Sequence, residues 1–425
     1  MNTHDQRTQS RALAPLRDFL RTEAAGGTLL VLATAVALIW ANSPFKGAYQ
    51  SLWHTDFTLS LGRYAFGFDL HHWLNDGFMT LFFFVVGLEI KREATTGHLA
   101  TRKTLALPLF AAIGGMVIPA VTYLLIAGGT EPRGWGVPMA TDIALAIGVL
   151  SVLGNRVSSS VRAFLLGLAV VDDIGAIVVI AIFYSSGVSF VWLSLAVASV
   201  LVTFVLKRLD VQWVTAYLMA GLFLWFALYQ GGVHPTIAGV VMGLLTPTTP
   251  KRHSNFHDAE DLERNPSVDS RSSVSVIEWF EHLLHPYTSF LIVPLFALAN
   301  AGIELSGESL RNASTSAVAW GVFAGLFIGK PIGIVLAVIA ARKSGLAETP
   351  EGTNLRTFIG VGSAAGIGFT VALFISDLAF TNPIHQADAK LAILVASVAS
   401  AVLSLVILSF HRGSVLTSRR RPSLR

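Results

Sequence analysis

The sequence predicts an all-α, polytopic membrane protein with about twelve transmembrane helices, and three observations carry that prediction. The chain is 53% hydrophobic and only 13% charged over 425 residues, with a mean hydropathy of +0.62. Soluble domains carry about 25% charged residues, so water is not the main solvent of this chain. Apolar runs of about 20 residues, long enough to cross the hydrocarbon core, recur along nearly its whole length. These runs lack the short alternation of barrel strands, and lipid cannot hydrogen-bond exposed backbone, so each run is expected to be a helix.

The expected spans cover 24–41, 72–90, 105–127, 136–153, 161–184, 189–206, 211–229, 233–246, 286–303, 316–341, 355–378 and 388–411. The first follows Arg7, Arg11, Arg17 and Arg21 and imitates a signal peptide, but no small-residue cleavage site follows it, so it reads as a span. The chain thereby divides into a cytoplasmic N-terminal segment, 1–23, a transmembrane domain, 24–411, and a basic cytoplasmic tail, 412–425. Two polar segments interrupt the domain. The periplasmic segment 42–71 mixes Trp53, Phe57, Tyr64, Phe66 and Phe68 with Gly and Asp. It reads either as a small strand pair or as an irregular interfacial loop with an aromatic belt. The stretch 248–271, rich in Ser, Asp, Glu, Arg and Pro, reads as a cytoplasmic linker.

Charge orients the spans. Of the 30 Lys and Arg residues, 24 fall on one side, only Lys46, Arg63, Arg133, Arg311 and Lys390 on the other, and Lys330 inside a span. One missed or invented span would reverse every later loop, so the asymmetry supports the count and places both termini in the cytoplasm. The net charge of +4 and pI near 9.4 therefore reflect membrane orientation, not a nucleic-acid partner. The chain has no cysteine, which removes disulfide and thiolate chemistry from consideration.

A charge at the bilayer centre costs roughly 2.5–3.5 kcal/mol on insertion scales, so each one is a functional candidate. Those that fall away from the ends of the spans, toward the bilayer centre, and carry the argument are Asp142, Asp172, Asp173 and Lys330. Asp142 and Thr141 follow Gly134-Trp135-Gly136-Val137-Pro138-Met139-Ala140, whose glycines and proline predict a broken helix with free carbonyls and amides at midplane. Simple capping of the second half-helix is the competing reading. Asp172 and Asp173 sit mid-span and point about 100° apart, so they can serve different partners. Burial and mutual repulsion both favour the protonated form, which brings proton exchange near neutral pH within reach of the pair; a purely structural acidic patch is the competing reading, although nothing structural requires two adjacent carboxylates at that depth. Lys330 supplies the interior positive charge, either as partner or proton carrier or as an inert salt bridge.

A second glycine-interrupted segment, Gly360-Val361-Gly362-Ser363-Ala364-Ala365-Gly366-Ile367-Gly368-Phe369-Thr370, lies in the eleventh span. Spans 3–5 and 10–12 each place an interrupted helix second of three, with opposite starting sides, which predicts inverted-topology repeats around a midplane site. Small-residue helix packing also accounts for the glycines alone. Glu89, Lys91, Arg92 and Glu93 cluster at the cytoplasmic end of the second span, where either a funnel mouth or a solvated helix end is expected. His234 reads either as a pH reporter or as an ordinary histidine beside a turn, and Glu281, His282 and His285, before the ninth span, are spaced too loosely for a metal site.

On these residues the chain resembles the NhaA family of bacterial sodium/proton antiporters, from about Phe19 to His411. The resemblance rests on Phe83-Phe84-Val85-Val86-Gly87-Leu88-Glu89-Ile90-Lys91-Arg92-Glu93, Ala140-Thr141-Asp142-Ile143-Ala144, Val171-Asp172-Asp173-Ile174-Gly175-Ala176-Ile177, Gly329-Lys330-Pro331 and Gly366-Ile367-Gly368-Phe369-Thr370. It implies a twelve-helix fold whose discontinuous spans 4 and 11, broken at Gly136, Pro138, Gly366 and Gly368, cross near the bilayer centre.

The resemblance further implies a secondary transporter of the bacterial inner membrane that is not an enzyme and holds no cofactor. It would exchange cytoplasmic Na+, with Li+ as a further cargo, for external H+, electrogenically and under pH control. Asp172 and Asp173 would bind the transported Na+ and the protons, with Asp172 paired to Lys330, Asp142 balancing half-helix ends and Thr141 adding an oxygen. Glu89, Arg92, Glu93, His234 and Glu281 match positions associated with pH control. A homodimer would form through 42–71. Pro235, where a small residue is common, and the long 248–271 linker depart from the family pattern. An intramembrane aspartyl protease and a passive cation channel are the other readings. Adjacent aspartates with a lysine fit the first poorly, and a channel would not couple two fluxes.

Overall fold

The structure, a computed structural model, describes residues 14–61, 64–95, 97, 101–185, 187–209, 211, 213–247, 276–350 and 353–410. The expected linker 248–271, the tail 412–425 and residues 1–13 lie outside the described residues.

The described residues form fifteen helices, one 3₁₀ segment, one further 3₁₀ turn and one hairpin in this order: α1 (Ala14–Ala41), α2 (Lys46–Trp53), β1 (Asp56–Leu61), β2 (Tyr64–Asp69), α3 (Leu70–Thr95), α4 (Arg102–Ala127), a 3₁₀ segment (Pro132–Met139), α5 (Ile143–Val152), a 3₁₀ turn (Gly154–Arg156), α6 (Ser159–Phe183), α7 (Phe190–Arg208), α8 (Val214–Gln230), α9 (Thr236–Leu245), α10 (Val276–Asn300), α11 (Gly307–Thr315), α12 (Ala317–Lys343), α13 (Leu355–Ala365), α14 (Phe369–Ala379) and α15 (Pro383–Ser409). Every expected span has its helix. Seven of these spans are single long apolar helices, the fourth is the 3₁₀ segment followed by α5, and α8 and α9 are shorter apolar helices. The eleventh span is the pair α13 and α14, bent by 51°, and the first is α1, which turns by 117° into the short α2.

Local signals fix many helix starts. Ser158 accepts from the Val161 N–H, Asn354 and Thr357 form a reciprocal capping box, and Asn382 precedes Pro383 at the first turn of α15. The segment 42–71 holds a strand pair, not an irregular loop: β1 and β2 are antiparallel, with Phe57 opposite Phe68. The hairpin leans on the transmembrane bundle, where Phe68 meets the Trp73 and Tyr229 rings edge-on and the Trp73 indole donates to the Phe57 carbonyl at 3.0 Å.

The ninth span begins ten residues before its expected start at 286. Pro286 invites a helix start there, but Ile277, Glu281 and His285 lie one turn apart on one buried face, and a π-type turn, Thr288–Ile292, follows the proline. Glu281, His282 and His285 therefore belong to the helix and do not precede it.

Neighbour relations bear out the inverted repeats. α4 crosses α12, the tenth span, at Gly114 and Gly333, where a Cβ on either would come within 2.3 Å of the other's carbonyl oxygen. Exchanging spans 3, 4 and 5 with 10, 11 and 12 maps the main packing contacts of one repeat onto those of the other. The third span packs on the fifth as the tenth packs on the twelfth, and the 3₁₀ segment lies on α4 as α13 lies on α12. The 3₁₀ segment also lies against α14, and α5 against α13, so the two broken spans cross half against half. A second group, built on α1, α3, α9 and α10 with α7 and α8 outside, packs beside this repeat bundle. The seam between the two groups frames the site.

Candidate functional site

The fourth span breaks later than its glycines suggest. Gly136 and Pro138 sit within the 3₁₀ segment, and the chain becomes extended at Ala140 and Asp142 before α5 begins. The eleventh span breaks at Gly366–Gly368, between α13 and α14. A Cβ on Gly368 would lie 3.1 Å from the Ala140 carbonyl oxygen, so glycine lets the two breaks touch. The Asp142 N–H donates to the Ile367 carbonyl at 2.6 Å, joining one break to the other directly.

Asp142 then serves two helix ends at once. Its Oδ1 accepts from the Leu145 N–H at 3.0 Å, which caps α5, and its Oδ2 accepts from the Thr370 N–H at 3.1 Å and the Thr370 hydroxyl at 2.7 Å, at the start of α14. Capping explains part of its role, but a neutral cap would not supply the full charge that two positive helix ends favour. The carboxylate is 2% exposed.

Asp172 and Asp173 diverge on α6, as their helical offset requires. Asp172 Oδ2 lies 2.6 Å from Lys330 Nζ and 2.6 Å from the Thr141 hydroxyl, which also reaches the Ala365 carbonyl at 3.0 Å. Lys330 donates further to the Met139 carbonyl, the last carbonyl before the fourth-span break. A π-type turn, Gly325–Gly329, sits immediately before Lys330 in α12. Asp172 and Lys330 are both inaccessible, and Asp172 Oδ1 is buried with no hydrogen-bond partner among the described residues.

Asp173 faces an open cavity instead, together with Glu89, Thr141, Asp142, His285 and Thr370. The cavity has a volume of about 60 Å³, and lies on the seam between α3 and α10 on one side and the crossed half-helices on the other. Its far end is the face of the molecule opposite the hairpin. There Arg92 pairs with Glu281 and, at 3.3 Å, with Glu93, joining the ends of α3 and α10. Glu89 is one turn deeper on α3 and lines the cavity itself. His234 stands apart from this group. It lies in the turn before α9 on the hairpin side, where its Nε2–H donates to the Tyr184 carbonyl at 3.0 Å.

The sequence profile of the family described as Na+/H+ antiporter 1 matches residues 17–408. The chain belongs to this family. The Na(+)/H(+) antiporter NhaA of Oleidesulfovibrio alaskensis is 46% identical over 413 residues, 91% of this chain and 92% of that one. NhaA 3 of Frankia alni is 44% identical over 406 residues, covering 92% and 88%, and NhaA of Vibrio vulnificus 42% over 398 residues, covering 92% and 95%. The solved structure of the sodium proton antiporter MjNhaP1 from Methanocaldococcus jannaschii at pH 8 aligns with a TM-score of 0.53 over 93% of this chain and 98% of that chain. At 12% identity that likeness concerns fold alone. Membership in the Na+/H+ antiporter 1 family bears out the resemblance carried by the motifs, and the polytopic α fold is the one expected.

This antiporter-family chain also places residues that sequence reasoning missed. Thr370 is the second donor group on Asp142, and its signal was available as the first polar side chain after the Gly366–Gly368 break. The carbonyls of Met139 and Ala365 carry no sequence signal at all, since every residue has one. On the hairpin side, a second, half-buried polar cluster joins α3, α10, α14 and α15 through Asn75, Asn300, Asp377 and Lys390. Those residues sit near span ends, where polar side chains are ordinary.

Proposed function

We propose that this protein exchanges cytoplasmic Na+, and Li+ as a chemically similar cargo, for external H+, with the two competing for the Asp172–Asp173 pair. The supporting observation is the open cavity that brings Asp173, Asp142 and Thr141 together beside two crossed, broken helices. Sodium is a hard cation that takes carboxylate, hydroxyl and carbonyl oxygens. Asp173 offers its carboxylate to the cavity, and Asp172 holds one buried oxygen without a donor, a costly arrangement that a proton or a cation relieves. Lys330 holds the other oxygen of Asp172 and supplies a counter-charge when the site is without cargo. Either ligand permits the repeat bundle to move against the second group, whereas the empty charged site resists it.

In this reading more protons than sodium ions move per cycle, so the membrane potential contributes about 2.3 kcal/mol per net charge at 100 mV and proton entry drives sodium out. The protein works in the bacterial inner membrane with both termini in the cytoplasm, which makes the hairpin face periplasmic. Arg92, Glu93, Glu281 and Glu89 lie at the cytoplasmic mouth and set the pH response, with His234 acting from the other side. A homodimer forms through the 42–71 segment, whose exposed Phe57 and Phe45 give it an apolar surface to bury. No catalytic chemistry is assigned: Asp142 and Asp172 are held by separate partners and do not face one another across a shared proton, as a protease would require.

The test is sodium-induced alkalinisation of acid-loaded vesicles over a pH series, comparing the intact chain with Asp173→Asn. Loss of exchange in a folded variant supports the site; undiminished exchange without the carboxyls at 172 and 173 rejects it.

A further inference from the structure

The seam that opens as a cavity beside Asp173 is shut at its other end. Asn75 on α3 donates to Asp377 Oδ2 at 3.4 Å, and Asp377 Oδ1 pairs with Lys390 Nζ at 2.7 Å and accepts from Gln386 at 2.7 Å. Asn300 on α10 donates to Asn75 Oδ1 at 3.0 Å, while its own Oδ1 accepts from His71 Nε2–H at 3.0 Å and Lys390 Nζ at 3.5 Å. Asn75, His71 and Asn300 belong to the second helix group, and Asp377, Gln386 and Lys390 belong to the repeat bundle. Two of these bonds cross between the bodies, Asn75 to Asp377 at 3.4 Å and Lys390 to Asn300 at 3.5 Å, while the others brace each side. Beneath them Met79, Phe296 and Phe374, about one turn deeper on α3, α10 and α14, are at most 1% exposed and fill the same seam with apolar side chains.

Resting on the exchange reading above, we infer that Asp377 and Lys390, held by Asn75 and Asn300, form the gate on the hairpin face, a latch that must part for the aspartate pair to reach that side. Two hydrogen bonds across the seam, made by a braced ion pair on one side and two amides on the other, suit a gate better than an apolar seal alone. Each crossing bond breaks into water as the seam opens, so the parted polar side chains stay solvated. Lys390 also places a positive charge across the route to the site, which a cation crosses only after the lysine has swung aside with Asp377.

The absence of native cysteine makes the test direct. Asn75→Cys combined with Asp377→Cys places one thiol on each side of the seam, within reach of a short bis-methanethiosulfonate linker. Linked protein reconstituted in vesicles is expected to lose at least about tenfold of its sodium-dependent proton flux, with recovery on reduction. Glu131→Cys with His385→Cys, a 3.4 Å contact inside the repeat bundle, takes the same linker without loss. Should the first pair fail to assemble, Asn300→Cys with Lys390→Cys crosses the same seam. Exchange that continues at the unlinked rate through a linked seam overturns the latch alone, whereas an unmodified chain without exchange overturns the latch and the reading it rests on together.

Discussion

Thr370 donates both its N–H and its hydroxyl to one oxygen of Asp142, although the two residues are 228 positions apart and lie on different halves of the inverted repeat. The other oxygen of Asp142 caps α5. One carboxylate thus closes two helix N-termini, and the crossing of the broken spans depends on it. In Asp142→Asn the side chain keeps one acceptor oxygen but loses its charge and one accepting position. It is expected to cost about 1–2 kcal/mol, the weight of one lost cap and helix-end charge. Asp142→Ala loses both caps and is expected to cost about twice as much. Thermal unfolding in detergent measures both, and equal losses would contradict service to two helix ends.

Lys330 and Asp172 form an ion pair with no solvent contact. Removing one partner leaves a charge buried and uncompensated, so Lys330→Met is expected to lose about 3–5 kcal/mol of stability. The double variant Asp172→Asn with Lys330→Met removes the orphaned charge and should regain most of that loss. The comparison is again made by melting temperature. A single variant no less stable than the double would mean that the pair is not felt by the fold.

The residues that carry charge into lipid were legible because hydrophobic context makes an ionised side chain conspicuous. Asp142, Asp172, Asp173 and Lys330 stood out on that ground, and the structure gathers all four around one crossing. Gly366 and Gly368 were legible as a break, but Gly136 and Pro138 misplaced the other one, because a 3₁₀ segment accommodates both and the extended stretch follows at Ala140. Thr370 was legible as a polar side chain just after a break, but not as a partner of Asp142, because a neutral hydroxyl near a break is common and Asp142 lies in the other repeat. Asp377 and Lys390 escaped for a related reason: near span ends a charge is an ordinary interfacial residue, and only packing reveals that it is held between helices. The early start of α10 was hidden by its amphipathic first turns, which an average over apolar length discounts.

Adjacent positions 172 and 173 are expected to respond differently to the same change. Asp173 lines the cavity and makes no hydrogen bond or ion pair with another described residue, so Asp173→Asn should abolish exchange without stranding a partner charge and without lowering the melting temperature. Asp172→Asn should also abolish exchange, but it strands the buried Lys330 ammonium and lowers the melting temperature well below that of the other variant. Vesicle exchange and thermal unfolding on both proteins check this, and indistinguishable melting curves would deny the division of labour.

Competition at one carboxylate site fixes the sign of the pH effect on sodium binding. Protons occupy the site more fully as pH falls, so the sodium concentration for half-maximal exchange should rise by about tenfold per pH unit below the titration of the site if one proton competes, and more steeply if two do. As pH rises the dependence should fade, because the carboxylates are already free of protons and further alkalinisation removes no competitor. The half-maximal sodium concentration is measured in proteoliposomes at a series of symmetrical pH values, so that no gradient confounds it. The Arg92–Glu281 pair lies at the mouth of the cavity and not against Asp173, so Arg92→Gln should move the pH at which activity rises without flattening the dependence itself. A half-maximal concentration that stays constant across the series would mean that sodium and protons do not share the site, whatever else the aspartates do.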